Sequence, residues 1–282
     1  MRSLQATVAV VGHVEWVKFA RVSHVPRAGE VVHARDPFEE PAGGGAVAAV
    51  QLARLAGEAM LVTALGEDEH GRRSLDRLRA LWVDVRASFE QAATRTAVTL
   101  ADAGGERTIT TFGQRLEPLG EAEAARWTAL GARDAIYFTA GDESALRLAR
   151  RSARVLVASP RARHALGRGV PLDALVLSAK DEIERGELAG VEDEAALVVF
   201  TEGERGGSFR ERSGASGRFA AATPPGEPVD SYGCGDSFAA GLTYGLGAGL
   251  DATGALALAA RCGAACLTGR GPYERQLTRR EL

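Results

Sequence analysis

An aspartate and two glycines near residue 235 form the pattern with the most specific chemistry in this sequence. Gly233-Cys234-Gly235-Asp236 opens a stretch of small and apolar residues that predicts a helix over 237–244. The first turn of a helix has unpaired backbone N–H groups and the positive end of the helix dipole, and glycines let an anion approach closely. Such a loop is suited to hold a transferring phosphoryl group, and Asp236 is then a candidate general base that deprotonates a hydroxyl.

Two simpler interpretations compete with this chemistry. An acid is favourable in the first turn of any helix, and glycines alone can make the bend before it. Cys234 is also a candidate nucleophile, because a helix N-terminus lowers the pKa of a thiol. No histidine stands near Cys234 in the sequence, so we interpret it as a small residue that fills space beside the loop.

The elements that must position this loop are indicated by the apolar pattern upstream of it. Short β-branched runs alternate with alanine- and leucine-rich stretches, which predicts an α/β fold with a mostly parallel sheet covered on both faces. The predicted strands are 7–11, 60–64, 135–139, 155–158, 174–177 and 197–201. The predicted helices are 47–56, 70–81, 121–130, 144–152, 181–188, 237–244 and 252–267.

Two regions break this alternation. Residues 15–35, with a period-two stretch at 30–35, and residues 94–112, with two strand-like runs around Gly104-Gly105, predict antiparallel ribbons. We expect residues 1–282 to form one domain, with a small β lid from about 13–40 and 94–113 that excludes water from the site. Ordinary surface hairpins are the alternative.

Composition excludes several classes of protein. The chain has 282 residues, 45% of them hydrophobic, and a formal net charge of -3, which predicts no nucleic-acid partner. Its 34 Lys and Arg, mostly Arg, still allow a local anion-binding patch. No apolar run is long enough for a membrane span or a secretory signal, so we expect a cytoplasmic protein. Three cysteines and five scattered histidines predict neither a disulfide framework nor a zinc site.

The segment from Asp230 to Gly241 resembles the carboxy-terminal signature of the PfkB, or ribokinase-like, carbohydrate kinases. That signature is usually DTxGAGDxFxAG, and here Ser231 and Cys234 replace Thr and Ala. The resemblance implies a ribokinase-like three-layer sandwich and transfer of the γ-phosphate of ATP to a hydroxyl of a sugar or sugar-like molecule. It makes Asp236 the base and the Gly233–Gly235 backbone the anion hole. ATP and Mg²⁺ are the implied cofactors, and a monovalent cation stays open.

Other segments extend the resemblance along the chain. Residues 64–71 are similar to a GxDxxG segment, and residues 104–109 to a G-E-R-T-I lid hairpin. Residues 198–207 resemble the T-x-G-x-x-G turn on the nucleotide side, which implies nucleotide contacts from Thr201, Gly203 and Gly206. A hairpin that needs glycine at positive φ is the alternative for that turn.

The acceptor side departs from the family. Gly43 and Gly44 match its two substrate-side glycines, but Val47 stands at the position of its sugar-binding asparagine. The usual aspartate falls at Val17, with Glu15 as the one acid nearby. Because an apolar group cannot replace a bidentate contact to a diol, we expect an atypical acceptor that is less hydroxylated or more aromatic.

The segment implied to bind Mg²⁺ also departs from the family's N-x-x-E. Ser178 replaces Asn and Asp181 replaces Glu, so Ser178 becomes a candidate nucleotide contact and Asp181 or Glu182 a candidate ligand of a metal-bound water. A helix N-cap at Ser178 followed by acids is the alternative. Ser159-Pro160-Arg161 stands where many relatives have Asp-Pro-Asn.

Other functions remain open on the sequence. A nucleoside or vitamin-like alcohol kinase of the same fold fits the motifs, and so does a nucleotide-binding regulatory protein without turnover. A dinucleotide-binding enzyme and a P-loop kinase are disfavoured, because G-x-G-x-x-G and G-x-x-x-x-G-K-[ST] are missing at the required places. A lid edge could pair between subunits, which makes a homodimer the expected assembly.

Overall fold

Alternation of β-branched and alanine-rich segments produces alternating strands and helices, as predicted. The computed structural model describes residues 4–102, 104, 106–121, 124–180 and 190–282. The strands are β1 (Val8–Val11), β2 (Glu15–Arg21), β3 (Arg35–Ala42), β4 (Ala59–Gly66), β5 (Val83–Glu90), β6 (Thr96–Ala101), β7 (Arg107–Phe112), β8 (Arg133–Phe138), β9 (Ala153–Ala158), β10 (Leu172–Ser178), β11 (Ala195–Thr201), β12 (Gly207–Glu211) and β13 (Ser216–Phe219). The helices are α1 (Gly44–Ala56), α2 (Glu69–Ala80), α3 (Ala124–Leu130), α4 (Glu143–Ser152), α5 (Cys234–Gly247) and α6 (Ala252–Cys266).

Nine of these strands form one sheet in the order β13-β12-β11-β10-β9-β8-β1-β4-β5. The pairs from β11 to β5 are parallel, and the β11–β12 and β12–β13 pairs at one edge are antiparallel. Successive side chains of β1 alternate between two hydrophobic cores: Val8 and Val10 pack in the first, Ala9 and Val11 in the second. Both faces are therefore covered, which confirms the predicted α/β class.

A second sheet of four strands has the order β3-β2-β6-β7. Its β2–β3 and β6–β7 pairs are antiparallel, and β2 runs parallel to β6. Strands β2, β6 and β7 come from the two regions that were predicted to form ribbons, but the strand predicted at 30–35 is wrong, because β3 covers Arg35–Ala42. Arg21 at the end of β2 pairs with Arg35, so residues 30–34 lie in the loop that joins the two strands and have no partner strand.

The helices that matter for the site start where glycines turn the chain. Helix α1 begins at Gly44, three residues earlier than predicted, after Gly43 adopts φ 87°. Helix α5 begins at Cys234 after Gly233 adopts φ 82°. The predicted helix 181–188 lies outside the described residues. Among the helices described, none has the length and apolar character needed to cross a bilayer.

Candidate active site

The site lies where parallel strands end and two helices begin. Val11 of β1 pairs with Phe138 of β8, and Phe138 pairs with Ala158 of β9, so these strands end side by side. Beyond them, the hydroxyls of Thr139 and Ser159 share a hydrogen bond of 3.0 Å. Ligands of open α/β sheets bind at this carboxyl edge. The sheet therefore places the first turns of α1 and α5 at the edge expected for chemistry.

Helices α1 and α5 meet through their first turns. The backbone N–H of Gly43 donates to the hydroxyl of Tyr232 over 3.4 Å. A Cβ on Gly44 would lie only 3.0 Å from Oδ1 of Asp236 and 3.2 Å from Oγ1 of Thr139. Glycine at 44 therefore leaves the space beside the Asp236 carboxylate that a bound molecule needs.

The start of α5 has the properties expected of an anion-binding turn. Gly233 is its N-cap, and no side chain caps the helix. A Cβ on Gly235 would meet no atom within 4 Å, so this part of the turn faces open space. Asp236 is the acid of the first turn. Backbone N–H groups and the helix dipole are thus presented beside a carboxylate.

A cavity of about 900 Å³ opens over these two helix starts. Among the predicted site residues, those that line it are Glu15, Gly43, Gly44, Gly233 and Asp236. The four-stranded sheet contributes as well, because Arg107, Ile109 and Thr111 of β7 line the same cavity.

Val47 and Val17, which were predicted on the acceptor side, lie outside this cavity. Both are fully buried in the core and neither lines the cavity. A Cβ on Gly233 would lie 2.9 Å from Cγ1 of Val47, so this side chain packs against the Gly233 turn. Val47 therefore contacts the loop and does not reach the cavity.

Burial controls the charge of His13 and Glu15, which face each other across Gly43. Burial lowers the pKa of His13 well below its usual value, and the nearby charges of Arg115, Arg161 and Arg95 lower it further. His13 is therefore neutral at neutral pH. Burial raises the pKa of Glu15 even though Arg95 and Arg161 oppose this shift. Nε of Arg95 lies 3.5 Å from the Glu15 carboxylate.

Five arginines line the cavity, and sequence reasoning did not assign them to the site. They are Arg95, Arg107, Arg115, Arg161 and Arg163. The one signal available beforehand was Arg161, which follows strand 155–158 at a position where relatives have a neutral side chain. Arg95, Arg107 and Arg115 precede, belong to and follow strands of the small sheet, whereas Arg163 lies two residues after Arg161. Only the fold brings the two groups together.

The predicted nucleotide contacts gather at the ends of β10 and β11. Ser178 pairs with Thr201, whose hydroxyl donates to the carbonyl of Leu177 over 3.2 Å. Gly203 and Gly206 follow with φ of 66° and 77°, as a tight turn requires. Within this turn, Glu204 lines a second cavity of about 780 Å³ together with Asp230 and Ser231 of the α5 signature.

The predicted metal ligands Asp181 and Glu182 lie outside the described residues. In the part of the chain that is described, no three His, Cys, Asp or Glu side chains form a metal-binding group.

Cys234 sits in the turn as a half-buried thiol close to Cys266. A hydrogen bond with Cys266 and burial raise the pKa of Cys234 well above its ordinary value. Cys266 in turn donates to the carbonyl of Tyr232 over 3.4 Å. The thiol therefore stays protonated at neutral pH, which favours its interpretation as a packing residue.

We expect the Cys234 thiol of the native protein to resist alkylation by iodoacetamide near neutral pH. Only the thiolate reacts, and a raised pKa keeps the thiol protonated until the pH is well above the usual range for cysteine. Timed labelling followed by peptide mass spectrometry measures the rate, with denatured protein as the reference. Rapid native labelling near neutral pH would show an activated thiol and favour the nucleophile interpretation.

Comparison with known proteins relates this geometry to one family. The family model described as pfkB family carbohydrate kinase matches residues 5–168 and 171–279. A mouse protein named ribokinase is 30% identical over 106 residues, which span 37% of this chain and 33% of the mouse protein.

Solved structures show the same fold at lower identity. An Arabidopsis thaliana ribokinase complexed with ribose and ATP has a TM-score of 0.75 at 17% identity, over 98% of this chain and 97% of that one. An adenosine kinase from Sinorhizobium meliloti has a TM-score of 0.75 at 18% identity, over 98% of both chains. These similarities confirm the ribokinase-like fold.

Proposed function

The chain belongs to the PfkB family of carbohydrate kinases, and on that premise we propose that it moves the γ-phosphate of ATP to a hydroxyl of a sugar or sugar-like molecule. Membership makes it a phosphotransferase of the sugar or nucleoside kinase type. One observation carries the finer proposal: the Asp236 carboxylate lines a 900 Å³ cavity at the uncapped start of α5. A base and an anion-binding turn thereby share one space.

In the proposed mechanism, Asp236 accepts the proton of the acceptor hydroxyl as that oxygen attacks the γ-phosphorus, and the bond from this phosphorus to the bridging oxygen breaks to release ADP. Gly44 leaves room for the hydroxyl beside the carboxylate. The backbone of Gly233, Cys234 and Gly235 donates toward the oxygens of the transferring group, where negative charge is concentrated. Removal of the proton by a fixed base contributes about 10²- to 10⁴-fold in rate.

The nucleotide is proposed to bind along the turn of Thr201, Gly203 and Gly206, with Ser178 beside it. The ribose and ATP complex of the Arabidopsis relative supports ATP as the donor. Mg²⁺ would neutralise the ATP phosphates, and Asp181 and Glu182 are the residues proposed to approach it. No step of the proposed proton transfer depends on those two residues.

The four-stranded sheet is proposed to act as the lid of a single kinase domain. Arg95 precedes β6, and Arg107 and Ile109 belong to β7; all three line the cavity that contains Asp236. A sheet in that position excludes water from phosphoryl transfer. The side chains of β7 are exposed along its length. A homodimer that pairs through this edge remains a prediction.

The test is release of ADP from ATP and Mg²⁺ in the presence of sugars, sugar phosphates, sugar acids, nucleosides and vitamin alcohols. Release that depends on one acceptor class, with the phosphorylated product identified by mass spectrometry, supports the proposal. Turnover confined to nucleosides or vitamin alcohols would replace the sugar by that class. Stoichiometric ATP binding without turnover on any class would instead favour a regulatory, nucleotide-binding protein.

A further inference from the structure

Positive charge is concentrated in the cavity that holds the proposed base. Its lining includes five arginines and four acids, namely Glu15, Glu90, Glu117 and Asp236, an excess of one positive charge before its two histidines are counted. The whole chain has a net charge of -3, so this surface differs in sign from the protein around it. Such a concentration of arginine in a cleft attracts and holds anions.

Three of the arginines converge on one part of the cleft. The carbonyl of Arg161 accepts a hydrogen bond of 2.8 Å from Nη2 of Arg115, which ties the two segments together. Cδ of Arg161 lies 3.6 Å from the position of a Cβ on Gly44. That same position is 3.0 Å from Oδ1 of Asp236. The guanidinium group of Arg161 is therefore carried on a side chain that passes beside the base.

Arg95 approaches the same region from the small sheet. Its Nη2 donates to the hydroxyl of Thr111 over 2.6 Å, and its Nε lies 3.5 Å from Glu15. Burial raises the pKa of Glu15, and the charges of Arg95 and Arg161 oppose this shift. Besides burial, the pKa of His13 is lowered by the positive charges of Arg115, Arg161 and Arg95.

Arg107 extends the positive surface toward the phosphate-binding turn. Its Nη1 donates to the carbonyl and the hydroxyl of Ser231, both neutral groups, over 2.7 and 2.9 Å. His13 adds a polar group that is 3% exposed and whose Nδ1 has no hydrogen-bond partner in the described part of the chain.

The two polar side chains with which the family would hold a neutral diol are replaced by valines in this chain. Val47 and Val17, at the positions where the family has an amide and a carboxylate, are fully buried. The lining presents a polyol with four acids, one of which, Glu117, accepts a hydrogen bond of 2.6 Å from Nε of Arg115, and with five arginines. An oxyanion matches these cations, because the fork of an arginine binds carboxylate or phosphate with two parallel hydrogen bonds.

We propose, on the basis of the kinase function above, that the acceptor is a sugar-like alcohol that already carries an anionic group. Arg95, Arg115 and Arg161 bind its phosphate or carboxylate, and this contact directs its free hydroxyl to Asp236. An acceptor that lacks the anion forgoes these contacts and is a poor substrate. Charge complementarity, rather than recognition of a diol, selects the acceptor.

The experiment compares matched acceptors in the intact chain: glucose and fructose, glucose 6-phosphate, fructose 6-phosphate and fructose 1-phosphate, and gluconate. We expect kcat/KM to be at least tenfold, and up to about a hundredfold, higher for one charged series than for the neutral sugars, the range expected for hydrogen bonds to charged groups. The phosphate esters and the acid separate the two anion sources. Inorganic phosphate should compete with the acceptor and not with ATP.

Arg161→Gln tests the assigned contact. We expect a tenfold or greater loss of kcat/KM for the charged acceptor with the KM for ATP unchanged, and partial recovery in Arg161→Lys, which keeps the charge but loses the fork. Arg151→Gln, at an exposed position on α4, is the matched control and should behave as wild type. Urea midpoints establish that each variant is folded.

The outcomes separate the two proposals. Equal turnover of neutral and charged acceptors would overturn the anionic acceptor while confirming the kinase. A rise in the KM for ATP in Arg161→Gln, with the acceptor KM unchanged, would assign the arginine to the nucleotide and also overturn it. Absence of ADP release with every charged and neutral acceptor, despite ATP binding, would overturn the kinase function on which the inference rests.

Discussion

Asp236→Asn is expected to lower kcat by about 10²- to 10⁴-fold, the range for loss of a positioned general base. Asparagine keeps the shape of the side chain and removes the proton acceptor, so the cavity and the start of α5 should persist. The dissociation constant for ATP is expected to stay within about threefold, because the backbone turn and not this carboxylate is proposed to hold the transferring phosphate. Steady-state kinetics and a separate nucleotide-binding measurement test the two parts.

A matched control separates catalysis from the ordinary benefit of an acid at a helix start. Glu69 is the first-turn acid of α2 and does not line the cavity. Glu69→Gln and Asp236→Asn should each change the free energy of unfolding by about 0.3–1 kcal/mol through the helix dipole. Only Asp236→Asn should affect kcat. Wild-type turnover in Asp236→Asn would contradict the role of Asp236 as a base. The residue would then only stabilise the start of α5.

The fold was predictable because its central strands are covered on both faces and therefore consist of continuous apolar runs. Strand β4 is buried along its whole length, and its sequence indicated a strand directly. Strand β5 was not predicted, since it forms the sheet edge and alternates buried with exposed residues, including Asp84 and Arg86. A period-two strand that carries charges resembles a surface loop when only its sequence is read.

The candidate base and its turn could be identified from the sequence because they lie within one short segment. Gly233 and Asp236 are three residues apart, so helix geometry alone relates them. The arginines of the cleft could not be predicted in this way. Arg95, Arg115 and Arg161 are separated by long stretches of chain and lie outside the regular periodic elements. Their proximity depends on how the small sheet packs over the carboxyl ends of β1, β8 and β9.

Val47 illustrates a different limit. The register of the family motif placed this residue at an acceptor-binding position. In the structure Val47 faces the inner side of the Gly233 turn, where its Cγ1 occupies the space a Gly233 side chain would need. An apolar residue at this position packs against the loop. The sequence shows that the family's polar side chain is replaced by Val47. The fold shows that arginines line the cavity that contains Asp236.

Gly45→Ala is expected to destabilise the protein by about 1–3 kcal/mol, the cost of overpacking a rigid contact. A Cβ at Gly45 would lie 2.6 Å from the carbonyl oxygen of His13 and 2.7 Å from the carbonyl carbon of Gly12. These are backbone atoms that cannot rotate away. Helix propensity predicts the opposite sign, since alanine is favoured over glycine by about 1 kcal/mol within a helix. Urea unfolding monitored by circular dichroism measures which effect is larger.

Gly235→Ala is the matched control, because Gly235 is the second residue of α5 as Gly45 is the second residue of α1. A Cβ at Gly235 meets nothing within 4 Å, so this change should be neutral or stabilising by up to about 1 kcal/mol. If Gly45→Ala were as stable as wild type, the end of β1 and the start of α1 could separate without cost. That contact holds the backbone of His13 against α1, whose first residue, Gly44, lies beside Asp236. If the backbone there moved without cost, the bound acceptor rather than the protein backbone would set the geometry of the site.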